Sequence, residues 1–84
     1  MDKMTRGAFI GAKADILAGP YGWCTYDTFV QTLDKGIEFS ARDFNDFMRE
    51  QAAQVRIPGH REVFYVFNPD VTPRDIMNTL REYE

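Results

Sequence analysis

The stretch Thr28-Phe29-Val30-Gln31-Thr32-Leu33-Asp34-Lys35-Gly36-Ile37-Glu38-Phe39-Ser40-Ala41-Arg42-Asp43-Phe44 decides how the chain is read. Its first part completes a stripe that begins at Tyr26. Tyr26, Phe29, Val30 and Leu33 follow the i, i+3, i+4, i+7 spacing of one helix face. Thr25 stands just before the stripe and suits an N-cap, because its hydroxyl oxygen accepts a bond from an unpaired N–H of the first turn. Gly36 is expected to end this helix as a left-handed residue. The second part opens another helix. Ser40 takes the N-cap, Asp43 lies three residues on as an aspartate version of the capping box, and Phe39 and Phe44 occupy the two staple positions. That helix is expected to run to about Val55.

Toward the N-terminus, Phe9, Ile10, Ile16 and Leu17 fall on one arc of a helix over about residues 4–18, with Lys13 inside the arc. The lysine fits by laying its methylenes on the core and sending its ammonium outward. Gly7 and Gly11 each weaken that helix by roughly 1 kcal/mol relative to alanine. Either another backbone crosses closely there or the first turn frays. Gly19-Pro20 stops the helix, with the glycine expected in a left-handed cap. Toward the C-terminus, Pro58-Gly59 fits the central pair of a type II turn. Residues 62–67 then read as a strand. Val63, Tyr65 and Phe67 point one way and Phe64 and Val66 the other, so the strand is expected to be buried on both sides or paired. A last helix begins at Thr72, with Pro73 at N1, Asp75 at N3 and a second staple from Val71 and Ile76. Ile76, Met77, Leu80 and Tyr83 supply its apolar face.

The central segments 28–33, Gly36-Ile37 and 40–44 resemble a helix-turn-helix. The Pro58-Gly59 turn and the strand after it resemble the wing of the winged helix-turn-helix family. The resemblance covers roughly residues 5–67, and Asp34-Lys35 and Glu38-Phe39 lengthen the connection between the two helices beyond the family's usual form. It implies an α+β, mostly helical fold: a winged-helix-like three-helix core, a short β-hairpin and an appended C-terminal helix. It also implies that the helix opened by Ser40 is a recognition helix.

On that helix the side chains sort into arcs. Ala41, Phe44, Phe47, Met48, Ala52 and Val55 face the core, with Gln51 among them. Arg42, Asn45 and Arg49 form a polar strip that Arg56 extends if the helix continues. Asp43, Asp46 and Glu50 form an acidic strip beside it. Arginine and asparagine make paired hydrogen bonds to guanine and adenine edges in the major groove. His60 and Arg61, at the turn, are placed for phosphate contacts. The candidate nucleic-acid-binding residues are therefore Arg42, Asn45, Arg49, Arg56, His60 and Arg61, in a small DNA-binding regulator.

The charge argues the other way. The chain has 10 basic and 13 acidic residues, a net charge of -3. Residues 1–42 hold five of each sign, and residues 43–84 hold five basic and eight acidic. DNA affinity rests mainly on neutralising phosphates, and arginine beside aspartate on an exposed helix forms solvated ion pairs of little strength. The competing reading is a small acidic protein-binding module, an inhibitor or adaptor acting on a nucleic-acid enzyme. Tyr21 and Trp23, with Phe64 and Val66 of the apolar strand, are its candidate interface, although Trp23 also suits a cap on the core of so small a domain. A homodimer through that strand or the last helix is a further expected arrangement. The size suits regulators carried by phages or plasmids.

Catalytic chemistry is poorly supplied. The chain holds one histidine, His60, one cysteine, Cys24, and one serine, Ser40, which is already used as a cap. A Cys24–His60 dyad requires the two to meet and a third group to orient the imidazole; Cys24 reads more simply as a small apolar residue. No paired Cys/His spacing suits zinc, and no glycine-rich loop follows a strand to cradle phosphate. No enzyme, metal or cofactor is expected. The 84 residues, 44% of them apolar and 14% aromatic, suit one small domain over 1–84. A lone cysteine suits a reducing compartment, hence the cytoplasm. The longest apolar run, 63–67, is too short for a bilayer, and the charged N-terminus does not resemble a secretory signal.

Overall fold

A computed structural model describes residues 1–82. The elements are α1 (Lys3–Ala18), β1 (Trp23–Cys24), α2 (Tyr26–Thr32), α3 (Ala41–Gln51), β2 (Ala53–Arg56), β3 (Val63–Val66) and α4 (Pro73–Glu82). The strands form one antiparallel sheet in the order β1-β3-β2. Trp23 and Cys24 lie opposite Val66 and Tyr65 across one edge of β3, and Val55 and Arg56 lie opposite Phe64 and Val63 across the other. The fold is thus α+β and mostly helical, with a three-stranded sheet where a hairpin alone was expected.

The central place of β3 explains why neither of its faces is polar. Tyr65 and Phe67 join Phe9, Phe29, Phe44, Phe47, Met48 and Cys24 in a cluster built with α1, α2 and α3. Phe64 and Val66 join Ile57 and Ile76 in a second cluster, against which Trp23, Val55, Val71 and Leu80 pack. The sheet is therefore sandwiched between three helices and α4. Phe9 organises the first cluster. Its ring lies edge-on to Phe29, Phe39 and Phe47 at centroid distances of 5.5, 5.2 and 5.2 Å. Edge-to-face pairs add about 0.5–1.5 kcal/mol each beyond the area they bury.

The helix starts follow local chemistry. The Thr5 N–H donates to Asp2 Oδ1 at 2.7 Å and the Thr28 N–H to Thr25 Oγ1 at 3.4 Å. The Asp43 N–H donates to Ser40 Oγ at 3.1 Å while the Ser40 N–H donates to Asp43 Oδ2 at 3.4 Å, a reciprocal box. Thr72 and Asp75 repeat it, with the Thr72 N–H donating to Asp75 Oδ2 at 2.8 Å and the Asp75 N–H to Thr72 Oγ1 at 3.3 Å. The Pro58-Gly59 turn forms as expected: the His60 N–H donates to the Ile57 carbonyl at 3.0 Å and Gly59 has φ +86°, the left-handed value that a type II turn requires at its third position.

The helix ends differ from expectation. Gly19 is extended at φ -78° and ψ -179°, because the residue before a proline is pushed out of the helical region. α2 stops at Thr32 with Leu33 extended. Gly36 has the left-handed φ expected of it, +90°, but lies beyond the helix in a turn where the Ile37 N–H donates to the Asp34 carbonyl at 3.4 Å. α3 ends at Gln51, not near Val55; Ala52 is extended and the next four residues pair with β3. Arg56 therefore belongs to a strand and does not prolong the polar strip of the helix. On α1 the core face is Thr5, Phe9, Ala12 and Ile16, whereas Ile10 and Leu17 are exposed. On α4, Ile76 and Leu80 pack on the sheet, Met77 is exposed, and Tyr83 lies outside the described residues. No helix among the described residues is long and apolar enough to cross a membrane.

Candidate nucleic-acid interface

α3 buries Phe44, Phe47 and Met48 and turns Arg42, Asn45, Asp46 and Arg49 to solvent. The Arg42 and Arg49 side chains keep 90% and 77% of their surface open. Asp46 lies between them: Oδ2 is 3.9 Å from Arg42 Nε and Oδ1 is 3.7 Å from Arg49 Nη1. The acidic strip expected beside the arginines is thus broken up by its partners. Asp43 closes the capping box and lies 3.8 Å from the N-terminal ammonium. Glu50 meets Arg6 Nη2 at 2.9 Å and accepts a second bond from Gln51 Nε2 at 2.9 Å. The hydrogen bond from Arg6, then that from Gln51, holds the Glu50 carboxyl below its ordinary range. Among the described residues only Asp46 pairs with the two arginines.

The remaining candidates sit on the hairpin. Arg56 lies in β2 and its Nη1 donates to the Arg61 carbonyl at 3.3 Å, so one arginine is laid across the base of the loop that carries the other. Arg61 is exposed, and the half-buried His60 sets its ring edge-on to Phe64 with centroids 6.2 Å apart. The six residues therefore form two groups, Arg42, Asn45 and Arg49 on α3 and Arg56, His60 and Arg61 on the hairpin. No hydrogen bond or ion pair joins the two groups among the described residues.

The candidate protein interface is divided. Phe64 and Val66 are buried beneath α4 inside the chain and are not surface residues, because β3 is the central strand. For the same reason β3 is not open to a second copy, and on α4 Ile76 and Leu80 are turned to the sheet while Met77 is exposed. Trp23 is half-buried with its ring edge-on to Phe64 at 5.6 Å, and Tyr21 is partly exposed with its ring 5.5 Å from Trp23.

Cys24 and His60 do not form a dyad. Cys24 lies in the cluster under α1–α3, whereas His60 rests on Phe64 on the other face of the sheet. Burial also pushes the Cys24 thiol up to about 12, so it is not a thiolate at neutral pH. No group of three or more His, Cys, Asp and Glu side chains among the described residues is placed to hold a metal ion. The exposed pairs of Asp46 with Arg42 and Arg49 are the solvated Arg–Asp pairs expected from their i,i+4 and i,i+3 spacing. One contact that shapes the site was not anticipated. The Arg6–Glu50 pair spans 44 positions and leaves no local signal. No protein-family model, no curated protein and no solved structure matches the chain.

Proposed function

We propose that the chain is a small winged-helix-like regulator that binds nucleic acid, with α3 in the major groove and the β2–β3 hairpin on the backbone. The observation that supports this most is the outer face of α3. Arg42, Asn45 and Arg49 stand open on a helix anchored by three fully packed side chains, and among the described residues the two arginines make only exposed pairs with Asp46. Three helices followed directly by a hairpin also agree with the winged-helix resemblance. The eight-residue connection over 33–40 is longer than a helix-turn-helix turn. In this reading Arg42 and Arg49 contact guanine edges or phosphates and Asn45 an adenine. Arg56, Arg61 and His60 contact phosphates.

The test is a titration of labelled duplex DNA at low salt, followed by anisotropy. The parent chain is expected to bind, and Arg42→Ala/Arg49→Ala is expected to bind at least about tenfold more weakly, since each good base contact is worth about 1–3 kcal/mol. Absence of binding by the parent, or equal binding by the double variant, rejects the reading. The net charge of -3 and the exposed Tyr21 beside Trp23 favour a protein partner as the second reading. A partner whose binding is lost on Tyr21→Ala and retained on Arg42→Ala/Arg49→Ala would establish that one instead.

A further inference from the structure

We infer that the outer face of α1 is the seat of a second copy of this chain, packed antiparallel against it. α1 turns Thr5, Phe9, Ala12 and Ile16 to the core. Its opposite face carries Met4, Gly7, Ile10, Gly11, Ala14 and Leu17, all exposed. Lys3, at one end, is the single charge on that face by helical spacing. A helix lying on a domain surface ordinarily shows water a polar face, and one that is apolar all round is covered on both sides. α3 and α4 obey the first pattern, whereas α1 confines Arg6, Lys13 and Asp15 to its flanks and shows water an apolar face between them. Met4, Ile10 and Leu17 leave 76%, 49% and 42% of their surface open.

The glycines give an independent reason. Gly7 and Gly11 lie inside the helix, where glycine is the least favourable residue after proline. A Cβ added to either meets nothing within 4 Å. Asp2 caps the helix start. Gly7 and Gly11 border a groove whose far wall is Thr32 and Asp34 at the end of α2, but no described atom comes within 4 Å of where either Cβ would lie, so contact among the described residues gives no reason for either glycine. A second backbone approaching closely does.

Sequence symmetry and charge select the occupant and its direction. Met4 and Leu17, Gly7 and Ala14, and Ile10 and Gly11 are placed symmetrically about the middle of α1. In an antiparallel pair Gly7 faces the partner's Ala14, Met4 lies beside the partner's Ala18, and Ile10 meets the partner's Ile10 near the axis. α1 has no acidic residue in its first turn and no basic residue in its last. It carries Lys3 at the start and Asp15 near the end, opposed to its own dipole. An antiparallel copy puts Lys3 beside the carbonyls of the partner's last turn. A parallel copy would put Lys3 beside the partner's Lys3. The contact runs about 24 Å along the helix and covers roughly 500 Å² on each copy, at the small end of specific interfaces, so the dimer is a weak one that forms at micromolar concentrations or above.

Sedimentation equilibrium of the full chain from low micromolar to submillimolar concentration tests this. The parent is expected to pass from monomer to dimer. Met4→Glu and Leu17→Lys are expected to stay monomeric throughout. Each places on exposed helix a charge that its own dipole favours, so an unchanged far-UV spectrum is expected, and Ala14→Gln serves as a third variant should either unfold. Direction is read by oxidation: a mixture of Met4→Cys and Ala18→Cys copies is expected to cross-link, and neither alone. A parent that remains monomeric, a dimer unmoved by all three variants, or cross-linking of Met4→Cys by itself overturns the inference.

Discussion

Gly22 carries more of the fold than its place in a short loop suggests. Its φ is +73°, and a Cβ there would lie 2.7 Å from the Cβ of Asn68. Its carbonyl accepts from the Phe67 N–H at 3.0 Å and the Asn68 N–H at 3.1 Å, fastening the loop after α1 to the end of β3. Gly22→Ala is therefore expected to cost about 2 kcal/mol or more, combining left-handed strain with a clash against backbone-anchored atoms. The measurement is the urea midpoint, and an unchanged midpoint contradicts the geometry. Nothing near Gly22 announces this, because its partner lies 46 positions away. Cys24 gives a second prediction at this scale. Burial raises its thiol from an ordinary 9.0 to about 12. A raised folded-state pKa keeps its stability below the unfolded value and loses it as pH rises toward the folded value. Unfolding free energy is expected to fall from about pH 9 upward, at about 1.4 kcal/mol per pH unit for this group. Tyr65, raised by burial and then by Cys24, adds to the fall above its ordinary 10.0. Urea denaturation between pH 7 and 11 measures it, and Cys24→Ala is expected to remove the earlier part of the decline.

The elements whose ends are set by neighbouring residues were legible, and those set by distant ones were not. Ser40 with Asp43 and Thr72 with Asp75 close their boxes within four residues, so both helix starts fall where expected. β2 is different. Residues 52–56 continue the apolar spacing of α3, and only their pairing with β3 turns them into strand. That pairing also moves Arg56 from the helix to the hairpin, which reshapes the candidate site without changing its membership. The burial of Phe64 and Val66 was legible as a demand for two covered faces, but not the identity of α4 as one of the covers. On α3 itself the element-scale prediction concerns Asp46. Asp46→Asn removes the carboxylate that engages Arg42 and Arg49 and is repelled by phosphate. DNA binding at low salt is expected to tighten several-fold while stability stays within about 0.5 kcal/mol, as for most exposed substitutions. Weaker DNA binding by this variant would place some other face of α3 against the nucleic acid.

At the scale of the whole molecule the proposed nucleic-acid binding has to work against a net charge of -3. The excess of carboxylates lies in residues 43–84, the same region that supplies Arg49, Arg56 and Arg61. Folding separates the two signs in part: Asp43 is taken up by a cap, Glu50 by Arg6 and Asp75 by Thr72, leaving the arginines of α3 and the hairpin at the surface. Under the proposed function, binding would depend on a few local contacts working against an unfavourable net field, and it is expected to be weak and strongly dependent on salt. If Arg42, Arg49, Arg56 and Arg61 each neutralise one phosphate, log K is expected to fall with log salt at a slope of about -3.6 for one copy on duplex DNA. Two copies joined through α1, bound at paired half-sites, would double it to about -7. Arg61→Ala is expected to lower the single-copy slope by about one while leaving sequence preference unchanged, because a hairpin contact to phosphate positions the chain and carries no sequence information. Arg49→Ala is expected to change both slope and preference. Equal slopes for parent and Arg61→Ala would remove Arg61 from the interface, and equal slopes for Arg56→Ala as well would leave α3 to account for binding.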